Sequence, residues 1–381
     1  MRVFFFLFLS CLAQTIQAQT DFYDQMKVDY DRLRKEEKND SALVIAKQMN
    51  AWALKNESDT SLRYAVSLRY LGNCFDNLQI GDSALFYWDN SLAILEKQNR
   101  SESLDAARCY QNKGIFYSEK NDNINAIRNY ETSIDIKKKA LGEEHPDYAS
   151  SLNSLGNLYS EMGDYKAAEP YYKQALEIRK KALGEDHPDY ASSLNNLGLL
   201  YSEMVDYKSA EFFYMQASEN VKKYLGEDNS NYAMSLNNLG FLYIEMGDFK
   251  KAEKFSKQAL EIRRKILGEN HPEYAMSLNN LGILYSDMGN YKTAEKYYLK
   301  ALEIRRKTLG EENLDYASSL MNLGVLYCER GDYKSAEPYF KKNEEIKKFA
   351  LGEWHPEYAI SLFNLGNLYS DMGKYKSAEF Y

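Results

Sequence analysis

Apolar residues recur at three- and four-residue steps along most of the chain, drawing a stripe down one side of a helix and, after a short polar break, down another. In residues 149–190, Leu152, Leu155, Tyr159 and Met162 make the first stripe, here helix A. Gly163-Asp164 interrupts it, glycine suiting the left-handed conformation just past a helix end. Ala168, Tyr171, Tyr172, Ala175, Leu176 and Ile178 make the second stripe, helix B, predicted from about Lys166 to Leu183. Pro170 falls in its first turn, where a missing N–H costs little. A polar linker through His187-Pro188 then leads to Asp189, the expected cap of the next helix A.

This two-helix pattern repeats. Leu-Gly returns at a fixed interval of 42 residues, from Leu71-Gly72 to Leu365-Gly366, with Lys113-Gly114 the one imperfect copy. Alanine keeps the same interval at 42, 84, 126, 168, 210, 252, 294, 336 and 378. Gly156 on helix A and Ala168 on helix B are expected where the two helices approach closely. A fixed period of this size marks an array of one supersecondary unit whose core grows by a slice per repeat. The expected layout is a leader over 1–18, a degenerate first repeat over 19–63 and a tandem array over 64–381. The last repeat stops at Tyr381 inside its helix B, so it is read as incomplete, with further chain expected beyond it.

Leu152-x-x-Leu155-Gly156-x-x-Tyr159 followed by Ala168-x-x-x-Tyr172-x-x-Ala175 resembles the tetratricopeptide repeat. The usual unit has 34 residues; eight more here carry the Leu-Gly-Glu-x-His-Pro linker, a variety similar to the repeats of kinesin light chain and of bacterial arrays. The resemblance implies an all-α tetratricopeptide α-solenoid, a right-handed superhelix with helix A inside. It also implies that the second, fifth, sixth, ninth and twelfth positions of helix A line a concave groove. Fifth positions are Asn153, Asn195, Asn237 and Asn279, then Met321 and Phe363. Sixth positions are Asn196, Asn238, Asn280, Asn322 and Asn364, with Ser154 before them. Asparagine is a middling helix former, so its recurrence calls for a reason beyond propensity. An amide offers donors and an acceptor to a peptide backbone; equally, it can tie one repeat to the next. At the ninth position Leu199, Phe241, Ile283 and Val325 form a central apolar patch suited to side-chain pockets or to stacking.

Composition narrows the chemistry. The 48 basic and 56 acidic residues give a formal charge of −8, against a general nucleic-acid surface. Most of the 33 tyrosines recur at repeat positions and read as packing residues. Cys74, Cys109 and Cys328 lack the spacing of a disulfide framework or zinc site and are expected to be free and buried. His145, His187, His271 and His355 share one linker position, with Asn229 and Asn313 in two copies. One repeat apart, on the order of 10 Å, they cannot share a metal ion, so they read as turn-setting residues. A carboxylate clamp of the kind found in chaperone-binding members would need Arg69, Asn73 and Asn112 plus basic residues where Ser150 and Ser154 stand, and is disfavoured. No catalytic constellation, cofactor site or metal site is expected.

The amino terminus reads differently. Met1-Arg2, the apolar run Val3–Leu9 and the small residue Ala18 before Gln19 match a secretory signal peptide cleaved near Ala18-Gln19, implying export to the periplasm or medium. In Leu9-Ser10-Cys11 the residue three before the cysteine is Phe8 where leucine is typical, so a lipid anchor on Cys11 is not expected. No later stretch approaches the ~20 apolar residues of a membrane span. The expected function is a non-catalytic scaffold binding a peptide or protein segment. The alternative is the regulatory array of a larger enzyme, a CHAT-type protease or sensor kinase, whose catalytic domain lies beyond the given chain.

Overall fold

The computed structural model describes residues 22–36, 38–78 and 80–381. The expected leader, with Ala18-Gln19 and Cys11, lies outside the described residues. Those residues form eighteen helices and no strand, joined in consecutive antiparallel hairpins. None of the helices is long and apolar enough to cross a membrane.

The chain divides into two compact units, one ending at Ala182 and the other running from Leu183 to Tyr381. The first begins with α1 (22–35) and α2 (Asn39–Asn56), which share a core of Tyr23, Met26, Tyr30, Ala42, Ala46 and Met49. Then come α3 (Leu62–Asn77), α4 (Gly81–Lys97), α5 (Leu104–Glu119), α6 (Asn123–Leu141), α7 (Pro146–Glu161) and α8 (Tyr165–Leu183). The second unit holds α9 (Pro188–Glu203), α10 (Tyr207–Leu225), α11 (Ser230–Glu245), α12 (Phe249–Leu267) and α13 (Pro272–Asp287). It continues with α14 (Tyr291–Leu309), α15 (Leu314–Glu329), α16 (Tyr333–Leu351), α17 (Pro356–Asp371) and the short α18 (Tyr375–Phe380). Odd-numbered helices from α3 onward are the A helices.

The start of helix A corrects one expectation. Asp189 does not cap α9; His187 does, its Nδ1 accepting the backbone N–H of Asp189 at 3.1 Å. His145, His271 and His355 do the same for α7, α13 and α17. Where the histidine is missing, Asn229 and Asn313 offer Oδ1 to the N–H two residues on, each at 2.8 Å. Both side chains place an acceptor at the same reach, which is why they interchange. Proline at the first helical position and an acidic residue at the second complete the start, fitting the fixed φ and the positive end of the helix.

The glycine of Leu-Gly serves the next layer. A Cβ on Gly282 would stand 2.4 Å from the Tyr298 ring, and one on Gly198 2.5 Å from Tyr214. The glycine therefore makes room for an aromatic ring of helix B, rather than for the buried alanine four residues earlier. A second aromatic pair closes four hairpins of the second unit: Tyr201–Phe213, Tyr243–Phe255, Tyr285–Tyr297 and Tyr327–Tyr339 stack at 5.5–5.6 Å between centroids. These two uses account for much of the tyrosine content. Cys74 and Cys109 are free and buried as expected, whereas Cys328 is free but only half-buried.

A column of cations is buried behind the A helices. The Nη1 of Arg263, itself almost fully buried, donates to Ser277 Oγ at 2.8 Å, and its Nε lies 3.4 Å from Glu273. Arg305 donates to Ser319 Oγ and to the Asp315 carbonyl, and Lys347 pairs with Glu357 at 3.2 Å. In the first unit Lys137 donates to Ser151, and burial pushes its ammonium down to about 8. The cation and the acid ten residues later are lost together in one repeat, which has Val221 and Asn231. A charge is kept in this interior only with its partner.

Candidate functional site

In the second unit α9, α11, α13 and α15 lie side by side, each backed by the B helix that follows it. Packing covers three sides of each A helix and leaves one stripe, at steps of four, three and four residues. It holds the second, sixth, ninth and thirteenth positions, so neighbouring stripes make rows across the unit.

The fifth-position amides are not on this stripe. Asn195, Asn237 and Asn279 are buried in the seams between A helices, Asn237 with only 4% of its surface exposed. Asn195 and Asn237 each donate from Nδ2 to a serine of the next A helix, Ser235 and Ser277, at 3.4 Å. Asn279 accepts through Oδ1 from Asn322 at 2.9 Å. Asn153, in the first unit, is half-buried, and its Oδ1, like those of Asn195 and Asn237, is buried without a hydrogen-bond partner. Asn195, Asn237 and Asn279 therefore tie repeat to repeat; the recurrence marked a seam as well as a surface.

The other two predicted rows do reach the stripe. Asn196, Asn238, Asn280 and Asn322 are half-exposed on four consecutive A helices. Beyond them Leu199, Phe241 and Val325 are 50%, 46% and 40% exposed, while Ile283 is half-buried against the core around Tyr298 and Leu326. Of two further rows, one is assigned to the groove by the resemblance without its residues being named, and the other escaped the sequence reading. At the second position Met234, Met276 and Ile360 are exposed. The available signal was their place seven residues before Phe241, Ile283 and Asn367, two helical turns away on the same face. At the thirteenth position an exposed carboxylate ends every A helix of the unit: Glu203, Glu245, Asp287, Glu329 and Asp371. Glu245 and Glu329 accept hydrogen bonds from Ser202 and Ser286 of the preceding A helix, at 2.8 and 2.7 Å. Partial burial, and then the Glu329 charge, hold the Asp287 carboxyl above its usual range.

The disfavoured carboxylate clamp finds its groups already engaged in the first unit. Arg69 is buried, 3.6 Å from Asp105 and stacked over the Tyr70 ring. Asn73 Oδ1 accepts from Trp88 Nε1 and from Asn112 Nδ2.

Comparison with known proteins places this geometry. The family model for the tetratricopeptide repeat matches residues 105–181, 169–223, 231–307, 284–348 and 315–381. A search of curated proteins found no match. Among solved structures the chain is similar to BtubC (BKLC) from P. vanneervenii, at 26% identity and TM-score 0.50, over 60% of this chain and 92% of that one. It is also similar to the apo form of the quorum sensor NprR from B. thuringiensis, at 12% identity and TM-score 0.64, over 84% and 86%. A third is a Rap protein complexed with Competence and Sporulation Factor, at 16% identity and TM-score 0.59, over 94% and 95%. The last two likenesses are of fold alone.

Proposed function

Because the chain belongs to the tetratricopeptide repeat family, we propose that it is a non-catalytic scaffold holding an extended peptide or protein segment across the A helices of its second unit. One observation carries this: Leu199, Phe241 and Val325 stand exposed at one repeat position, in line with a row of half-exposed amides. A lone exposed leucine needs no explanation, but a row of large apolar side chains beside polar ones has the make-up of a partner surface. The amides at 196, 238, 280 and 322 then serve the partner's backbone, and the ninth-position row its side chains. The buried amides at 195, 237 and 279 set the spacing of the helices beneath. That a Rap protein of the same fold is complexed with a factor supports a binding role by analogy of fold. Export directed by residues 1–18 belongs to the same proposal and rests on the sequence pattern.

A displayed library of random ten-residue peptides tests it. Peptides selected on the wild-type protein should bind Phe241→Glu at least about tenfold more weakly, and a variant altered on the outer helices, Lys254→Glu, unchanged. Failure to enrich any peptide, or equal binding to Phe241→Glu in a protein of unchanged helicity, would overturn the assignment.

A further inference from the structure

The carboxylate row sits where helices resist it. Each of the five A helices of the second unit ends on its aspartate or glutamate, with no basic residue in its last turn. An anion there faces the negative end of the helix, an unfavourable placement that a neutral side chain would avoid. Nor is the charge compensated at the last four. Among the described residues Glu245, Asp287, Glu329 and Asp371 have no lysine or arginine partner; Glu245 and Glu329 take only a serine hydroxyl. Elsewhere in the unit carboxylates do find cations, as at Glu253–Lys257, Glu303–Lys307 and Glu337–Lys341. A feature repeated five times against local preference, on the one face left open by packing, points to use rather than to folding.

Resting on the scaffold reading above, we infer that the partner is a basic, amphipathic segment bound in extended form, its apolar side chains on the Leu199, Phe241 and Val325 row and its lysines or arginines on the Glu245, Asp287 and Glu329 row. The dimensions agree. The carboxylates lie four residues along the helix from the apolar row, about 6 Å at the rise of an α-helix. Adjacent A helices are spaced by about 10 Å, and an extended chain advances about 3.1–3.4 Å per residue. Every third residue therefore meets a new helix, and a segment of about ten residues covers the four A helices from α9 to α15. Residues between the apolar contacts are placed to reach the acidic row. The amide row on the other side faces the segment's backbone and does not select its sequence. An acidic segment would bring like charges together along the whole row, which is the source of discrimination.

Two synthetic twelve-residue peptides, with leucine at every third position and either lysine or glutamate at the intervening ones, test this by fluorescence anisotropy. The lysine peptide should bind the wild-type protein and lose at least tenfold in affinity between 50 and 500 mM salt, on the order expected for several contacts between exposed charges. The glutamate peptide should bind at least about tenfold more weakly than the lysine peptide. The isosteric triple variant Glu245→Gln, Asp287→Asn, Glu329→Gln should bind the lysine peptide weakly and with little salt dependence. Equal binding of the two peptides, or an unchanged triple variant, overturns the inference. The peptide comparison needs no mutant to fold, so it stands whatever the triple variant does. If selected library peptides show no basic bias yet are lost on Phe241→Glu, the scaffold reading survives and this one fails; if none binds that face, both fail.

Discussion

At the residue scale, two positions show what one side chain contributes to the array. The turn from helix A to helix B passes through the left-handed region at Gly163, Gly247, Gly289, Gly331 and Gly373, with φ between 70° and 76°. In one repeat Val205 stands there with φ 60°. A β-branched residue pays for that conformation through its Cβ, by about 1–2 kcal/mol. Val205→Gly should therefore raise stability by about 1 kcal/mol once the greater freedom of unfolded glycine is subtracted; a lower midpoint in urea would refute the strain. The histidine caps give the second case. His271→Ala removes the acceptor for the Glu273 N–H and should cost about 1 kcal/mol, while His271→Asn should change little, since Asn229 and Asn313 already fill the same role. Equal losses for the two variants would show that histidine works there through something other than capping.

At the element scale, the hairpins are joined through polar seams as well as apolar contact. Arg263 joins α12 to α13 through Ser277 and Glu273; Arg305 keeps the serine contact, at Ser319, and Lys347 the acid contact, at Glu357. The repeat with Val221 and Asn231 dispenses with both charges and still packs, Val221 being buried. Glu273→Asn alone should strand the arginine and cost about 1–2 kcal/mol, Glu273 being itself partly exposed. Adding Arg263→Val should be much less harmful in that background than in the wild type, with a coupling energy of at least about 1 kcal/mol in a double-mutant cycle. Additive effects would mean that the pair is not a unit. The fifth-position asparagines belong to the same seams. Their spacing was visible in the sequence, but whether an amide at that angle met solvent or the next helix depended on how far neighbouring A helices rotate about one another.

At the scale of the whole molecule, cohesion is local. Core clusters of the second unit span one or two hairpins each, such as that of Tyr274, Leu278 and Ile304 or that of Tyr298, Leu323 and Leu326, and one in the first unit runs over three, from Tyr23 to Ile136. In such arrays stability is a sum over repeats and nearest-neighbour interfaces. Gly282→Ala drives a methyl into the Tyr298 ring. It should lower hydrogen-exchange protection in α13 and α14, and next in α12 and α15, while leaving α3 and α4 as in the wild type. A uniform loss of protection along the chain would contradict a nearest-neighbour stack. The same repetition makes the open face: one exposed position per repeat becomes a row, so a preference too weak to matter on one helix acts several times over.

The sequence by itself determined the period, the helix pairs, their breaks and their small and aromatic positions. All of these follow from spacing within some forty residues, where helical periodicity and turn chemistry leave few choices. It also marked the exposed rows at 196, 238, 280 and 322 and at 199, 241 and 325. Only the tertiary structure separated the buried amides from the exposed ones, gave the capping role to His187 instead of Asp189, and placed a ring of helix B against Gly72, Gly156, Gly198, Gly282 and Gly324, with Ser256 in that place at Gly240. It alone brought the carboxylates at 203, 245, 287, 329 and 371 into one row. Each of these depends on which side of a helix its neighbours cover, and that is decided by packing between elements.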